Sequence, residues 1–307
     1  MSARSRLRLT IVGSGALARG LVEALPPGRE IAVTVAARRT AAARRLAKLR
    51  PGTLAAPTYA DALRDAQVVV LAVDDRAIEG VARGLLPLRR TWRGVAVLHA
   101  AGGLGTGVLR PLARRGASTG VLHPIVPLHR TGGTPLRGAY ARIAGSPRAR
   151  AAARRLAALA GLSPLPRSRA ERGSDPELHH AAAALATGDI LALVSLAEDA
   201  LTASGVRRTA ARRAVLAAAS ATLARIGRAG PHATLSGPVV RGDVPRLLRH
   251  LRALAAAHPA AAPAHRALSA RLADLAVEAG TIDAPAARRI ATALSAGARG
   301  SRRSLTV

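Results

Sequence analysis

The sequence predicts an α/β domain built on a parallel sheet, followed by an all-α domain. Three observations carry this. The first half alternates short apolar runs with Ala- and Arg-rich helical stretches, the pattern of strands joined by crossover helices. Near the amino terminus a strand-like run meets a glycine turn and then helix formers. From Pro176 onward no strand run stands out, and leucines recur at helical spacing. A chain of 307 residues suits two domains. The polar stretch 167–175 separates them, giving domains over residues 1–172 and 173–307.

The expected strands are residues 8–12, 31–36, 67–73, 95–99, 118–122 and 140–144, because each is a short apolar run between turn formers. Helical spacing of Leu and Ala fills 16–25 and 40–49 between them, and a further helix covers 148–160. In the second domain, residues 177–204 form a long, almost wholly apolar pattern that Gly205 should stop. An amphipathic helix starting at Arg207 stops at Gly227. Asp243 is a plausible N-cap for a helix running to His258, with Pro245 in its first turn. Two more helices follow from Ala264, the second opened by Asp283 and Pro285. The tail from residue 297 reads as frayed, and no fixed-period repeat is present.

Composition narrows the function. Apolar residues make up 49% of the chain, enough for a packed interior. With no Phe, one Trp and two Tyr, that interior must be built from Leu, Val, Ile and Ala. The absence of cysteine excludes disulfides, thiolate metal sites and cysteine nucleophiles. The formal charge of +30 invites a nucleic-acid reading. However, the basic residues are spread over the whole chain, Lys48 is the only lysine, and no aromatic residues interleave to stack bases. Specific nucleic-acid binding is therefore not expected. No apolar run approaches the roughly 20 residues of a membrane span, so a soluble, cytoplasmic protein without membrane association is expected.

The stretch "TIVGSGALARG" (residues 10–20) is the first motif that carries chemistry. Gly13, Ser14, Gly15, Ala16, Leu17 and Ala18 read G-x-G-x-x-A between a strand and a helix, the fingerprint of a Rossmann-like dinucleotide site. Gly13 permits the tight turn, Gly15 lets backbone approach a pyrophosphate, and Ala18 lets the helix lie close on the strand. The helix amino terminus then offers free N–H groups to phosphate. At the end of the second strand, where an NAD site places an acid, the chain has Arg38, Arg39 and Thr40. A guanidinium suits a 2′-phosphate, so NADP is the expected cofactor. Gly13, Ser14, Gly15, Ala16, Leu17, Arg38, Arg39 and Val73 are the candidate cofactor-binding residues.

Four more stretches, "VVVLAVDDRAI" (68–78), "VLHAAGGLGTGVLRPL" (97–112), "GASTGVLHPIVPL" (116–128) and "LSGPVVRGDVPRLLRHL" (235–251), join this fingerprint. Together they resemble a two-domain family of NADP oxidoreductases, distant relatives of pyrroline-5-carboxylate reductase in the 6-phosphogluconate-dehydrogenase-like group. The match spans residues 9–275, with "SGPVVRGD" its most distinctive segment. The resemblance implies hydride transfer to a small carbonyl or imine substrate bearing a carboxylate, and a homodimer paired through the second domain. Three positions depart from the family pattern. Ala100-Ala101-Gly102 replaces a Ser/Thr-bearing turn, Val126 a polar residue, and Gly188 an Asn. Each removes a hydrogen-bonding group, which leaves a non-catalytic NADP-binding or sensor protein as the alternative.

The candidate catalytic residues are His123, His180 and Arg241. His123 ends a strand at the sheet edge where ligands bind and could protonate a carbonyl or imine; the plain alternative is a structural histidine bonded to backbone. His99 has the same position and a weaker claim. The resemblance places substrate contacts at the start of the long helix, at His180. His179 faces about 100° away, so the pair should not share one ligand, and no metal site is expected. Arg241, with Ser236, could clamp a carboxylate. Asp243, Asp74 and Asp75 are most simply helix caps.

Overall fold

A computed structural model of the chain describes residues 6–128, 135–166 and 175–301. It divides into two compact units, Met1–Thr187 and Gly188–Val307. The expected boundary between 172 and 173 lies outside the described residues.

The first unit is built on an eight-stranded sheet: β1 (Leu7–Val12), β2 (Ile31–Ala36), β3 (Thr53–Ala55), β4 (Val68–Leu71), β5 (Ala96–His99), β6 (Ser118–Pro124), β7 (Tyr140–Gly145) and β8 (Ser163–Pro164). Their order is β3-β2-β1-β4-β5-β6-β7-β8. β1 to β6 are parallel, β7 runs antiparallel to β6, and β8 runs parallel to β7. Helices α1 (Ala16–Ala24), α2 (Thr40–Ala47), α3 (Tyr59–Leu63), α4 (Ile78–Leu85), α5 (Arg110–Arg114) and α6 (Pro147–Ala160) connect the strands. α7 (Pro176–Ala184) closes the unit.

Alternation explains why the strands read as continuous apolar runs. Leu9 and Ile11 of β1, with Val33 and Val35 of β2, share a core cluster with Leu21 of α1 and Leu156 of α6. Val69 and Leu71 of β4 share the cluster on the other face with Ile78 and Leu85 of α4. Both faces are covered, so residues of either parity are apolar. Thr10, buried on the way, is satisfied by a 2.6 Å bond from its hydroxyl to the Ala62 carbonyl.

Two strands and one direction differ from expectation. β3 and β8 have three and two residues, too short for periodicity to register. β7 turns against the parallel sheet. A parallel neighbour needs a long crossover, usually helical, and between β6 and β7 the described residues contain no helix.

The second unit contains α8 (Ile190–Ala203), α9 (Arg208–Ala229), α10 (Val244–Ala257), α11 (Ala261–Glu278) and α12 (Ala284–Ser301). Its core joins Leu247 and Leu251 of α10, Ala262 and Ala273 of α11, and Ile290 and Leu294 of α12. α8 and α9 are held by the buried Glu198, which accepts from Arg208 at 3.1 Å and from Arg212 at 2.9 Å. Asp243 caps α10 through the Arg246 N–H, Asp283 bonds the Ala286 N–H, and Asp74 bonds the Arg76 N–H.

The long apolar helix departs from expectation in three ways. A π-helical turn, Leu185–Asp189, interrupts it. It is not buried: Leu178, Leu185 and Leu191 are 69%, 65% and 70% exposed, and Glu198 is the one buried residue of α8. The run Pro176–Ala203 is also long enough, at mean hydropathy 1.5, to meet the composition of a membrane span. Asp189 breaks the apolar run in sequence, but the average over the helix stays high. α9 continues through Gly227 and ends at Gly230, whose φ of +77° is a backbone conformation that glycine adopts freely. α12 reaches Ser301, so part of the expected frayed tail is helical and the rest lies outside the described residues.

Candidate functional site

β1 ends because Gly13 adopts a φ of +126°, a conformation that L side chains rarely take. A methyl group there would lie 2.1 Å from the Ala72 carbonyl oxygen and 3.2 Å from Val73 Cγ1. The Gly13 N–H donates to Ala36 at 2.8 Å, tying the turn to the end of β2. Gly15 is the opposite case, since a Cβ there would meet nothing within 4 Å. Gly15 stands at the N-cap of α1 without a side chain to cap the first turn, so that turn's N–H groups face open space. Ser14 is exposed, Ala16 begins the helix, and Leu17 is buried under it. This is the shape a pyrophosphate needs: one glycine imposed by the fold, the next left clear.

Arg38 and Arg39 are exposed after β2, with Arg39 at the N-cap of α2. A pocket of about 400 Å³ opens beside the cradle, lined by Ser14, Gly15, Ala16 and Ala42 with Arg19 and Arg45. Sequence reasoning missed these two arginines. Arg19 follows Gly15 by one helical turn and Arg45 follows Ala42 by three residues, so spacing on α1 and α2 would have shown them on the pocket side.

A second constellation gathers at the carboxyl ends of β5 and β6. His99 is fully buried; its Nε2–H donates to the Gly105 carbonyl at 3.1 Å and its Nδ1 accepts from the Ala101 N–H at 3.2 Å. Burial pushes its imidazole down to about 4. His99 is therefore a neutral structural bracket for the turn that follows β5. His123 is bound on one side only. Its Nδ1 lies 2.9 Å from the Ala100 carbonyl. A carbonyl only accepts, so Nδ1 carries the hydrogen and the neutral ring keeps its lone pair on Nε2. That Nε2 is buried with no hydrogen-bond partner among the described residues. Burial pushes the His123 imidazole below its ordinary value, against the raising effect of the Ala100 bond, and His180, His179 and Arg142 add to the lowering. His123 is thus an acceptor at neutral pH, and it must first take up a proton to act as the expected donor.

α7 brings His179 and His180 to this place, their ring centroids 6.1 and 5.8 Å from that of His123. The two neighbours approach one imidazole although a helix turns their side chains apart. The turn makes room because it lacks side chains. A methyl on Gly102 would lie 2.3 Å from His180 Nδ1 and 2.8 Å from His123 Nε2, and one on Gly103 would lie 2.6 Å from the Glu177 carboxylate. Asp75 is within electrostatic reach of His180 and Glu177. Asp175 caps the helix through the Glu177 N–H, which fixes where these side chains begin. Glu177 and Asp75 were legible in sequence only as a helix start and a cap. Arg241 belongs to the helical unit, on the turn before α10, where its N–H donates to Pro238 at 3.2 Å.

Two family models match the chain: a Rossmann-like domain over residues 2–124 and a domain of unknown function, DUF2520, over residues 139–272. The fold is shared with a Bacteroides fragilis protein provisionally named an NADP oxidoreductase, at TM-score 0.66 and 19% identity over 89% of this chain and 100% of that one. A pyrroline-5-carboxylate reductase of Coxiella burnetii gives 0.59 and 16% over 95% and 99%. A reductive aminase of Aspergillus terreus, solved with NADPH and ethyl-5-oxohexanoate, gives 0.59 and 17% over 97% and 95%. No curated protein matches the sequence.

Proposed function

We propose that this chain, a Rossmann-like domain joined to a DUF2520 helical domain, is an NADP-dependent oxidoreductase acting on a small carbonyl or imine substrate that carries a carboxylate. The observation that carries the reading is the pair of glycines after β1. Gly13 has no room for a side chain against the Ala72 carbonyl, while Gly15 faces clear space at an uncapped helix terminus. Fold neighbours named for NADP or solved with NADPH support the same cofactor class.

The residues present fit a dinucleotide. Gly13, Ser14 and Gly15 would hold the pyrophosphate on backbone N–H groups, with Ala16 and Leu17 seating the helix and Val73 flanking the turn. Arg38 and Arg39 would take the 2′-phosphate as forked donors. The bound cofactor supplies the hydride. His123 presents Nε2 toward Gly102 and takes or returns a proton there, while His180 stands against the same backbone. Arg241 is assigned the substrate carboxylate on its chemistry alone.

The exposed leucines of α8 and α9 support a homodimer through the helical domain. Leu191, Leu216 and Leu223 are 70%, 47% and 53% exposed, apolar side chains that a two-fold partner would cover. A second reading, an NADP-binding sensor without turnover, draws on Ala100 and Val126. Both pack against the apolar core where a polar group would serve a substrate. The two readings separate in an NADPH-oxidation screen over 2-oxo acids and cyclic imines. The enzyme reading expects turnover that His123→Asn abolishes while NADPH binding persists. Tight NADPH binding without turnover on any member would favour the sensor.

A further inference from the structure

The helical unit holds a second concavity that the oxidoreductase reading does not use. It opens between α10, α11 and α12, with a volume of about 1000 Å³, at the upper end of the range for small-molecule sites. Leu248, Leu251 and Leu294 give it apolar side chains, and alanines including Ala255, Ala267 and Ala291 make its walls. The space exists because residues that would fill it are small. Among the described residues two charged groups line it, Arg252 and Arg266, and no carboxylate does. Four other arginines of this unit, Arg208, Arg212, Arg246 and Arg271, lie against acids. Arg252 is exposed and has no hydrogen-bond or ion-pair partner among the described residues. Arg266 is half-buried and donates one N–H to the Leu294 carbonyl. That bond fixes its guanidinium beside the pocket with other donors unused.

We propose that this pocket binds an amphiphilic anion, a fatty carboxylate, with its alkyl chain along Leu248, Leu251 and Leu294 and its head group on Arg252 and Arg266. The shape and polarity match the chemistry from both ends. An apolar floor takes methylenes, and a fixed guanidinium beside a free one takes a carboxylate by charge-assisted bonds. The excess positive charge of the chain would draw any anion loosely, so the test must separate the pocket from the bulk field.

Isothermal titration of the full chain with octanoate, decanoate and dodecanoate below their micelle concentrations makes that separation. The proposal expects one site per chain. Affinity should rise about fourfold per methylene, and decanol should bind at least tenfold more weakly than decanoate. The pair Arg252→Glu and Arg266→Glu should weaken decanoate at least tenfold, while Arg213→Glu on α9 leaves it within twofold. Ala267→Trp fills the pocket and should abolish binding in a chain whose circular dichroism is unchanged. No binding, no dependence on chain length, or an equal loss with Arg213→Glu would overturn it. If no carboxylate binds and Ala267→Trp instead lowers the mass seen by light scattering, the groove is a contact between copies and the proposal fails. None of these readings involves NADPH, so they stand or fall apart from the oxidoreductase assignment.

Discussion

The two units use similar residues to opposite ends. In the Rossmann-like unit, Leu9, Ile11, Val35, Val70 and Leu98 are all at most 1% exposed. Its glycines at 13, 102, 120 and 145 are places where a methyl group would strike backbone or side chain within 3 Å. In the helical unit, Leu191, Leu216 and Leu223 lie open, and a Cβ at Gly188, Gly205, Gly227 or Gly237 would meet nothing within 4 Å. The first unit closes its core on itself. The second buries a smaller core around α10–α12 and leaves leucines of α8 and α9 exposed. Tolerance to substitution should therefore differ sharply between the units.

The largest expected effect tests the tight side of that contrast. Gly13→Ala forces a strained φ and drives a methyl group into the Ala72 carbonyl, so it should destabilise the first unit by about 3 kcal/mol or more. Gly237→Ala, strained by its own φ of +96° but in open space, should lose about 1 kcal/mol. Urea midpoints compare them, and equal shifts would erase the distinction.

Next comes the bracket at His99. Its folded value near 4 lies below the unfolded 6.5, so the unfolded chain binds the extra proton between those pH values. The stabilisation is complete above pH 6.5 and is lost as pH falls to 4, amounting to about 3 kcal/mol. Denaturation at pH 7.5 and 4.5 should show this loss in the parent chain, and His99→Gln should remove about one proton's worth of the slope. An unchanged slope would mean that His99 is not held neutral.

The open side of the contrast predicts assembly. Light scattering at micromolar concentration should give a dimer, and Leu191→Asp with Leu193→Asp should give a monomer that still binds NADPH. Because both leucines are exposed in the single chain, the double variant should lose less than about 1 kcal/mol of its own stability. A monomeric parent would contradict the dimer. The smallest effect concerns the ribose end. Arg38→Ala with Arg39→Ala should remove a preference for NADPH over NADH of about tenfold, or 1.4 kcal/mol, and retained preference would shift attention to Arg45.

How much of this was readable beforehand depended on the range of the signal. β1, β2, β4, β5 and β6 were legible because each is an apolar run bounded by turn residues. β3 and β8 were not, since two or three residues carry no period. The glycine turn after β1 was legible because Gly13 and Gly15 act locally, through backbone conformation. The meeting of His123 with His180 was not, because it depends on α7 reaching a turn that lacks side chains at Gly102 and Gly103. Helical spacing alone separated His179 from His180, whereas tertiary packing brings both to one ring. Hydrophobicity marked residues 177–204 as seeking burial, but it holds no information on whether the same chain provides it.

The account rests on the glycine turn after β1 being a dinucleotide cradle, and calorimetry of NADPH on the parent chain beside Gly15→Val tests it most directly. Position 15 faces open space with an ordinary φ, so valine should leave the fold intact by circular dichroism and thermal midpoint while its side chain occupies the place of the pyrophosphate. The account predicts stoichiometric NADPH binding to the parent and at least a 100-fold loss, about 2.7 kcal/mol, in the folded variant. Undiminished NADPH binding to folded Gly15→Val would contradict it.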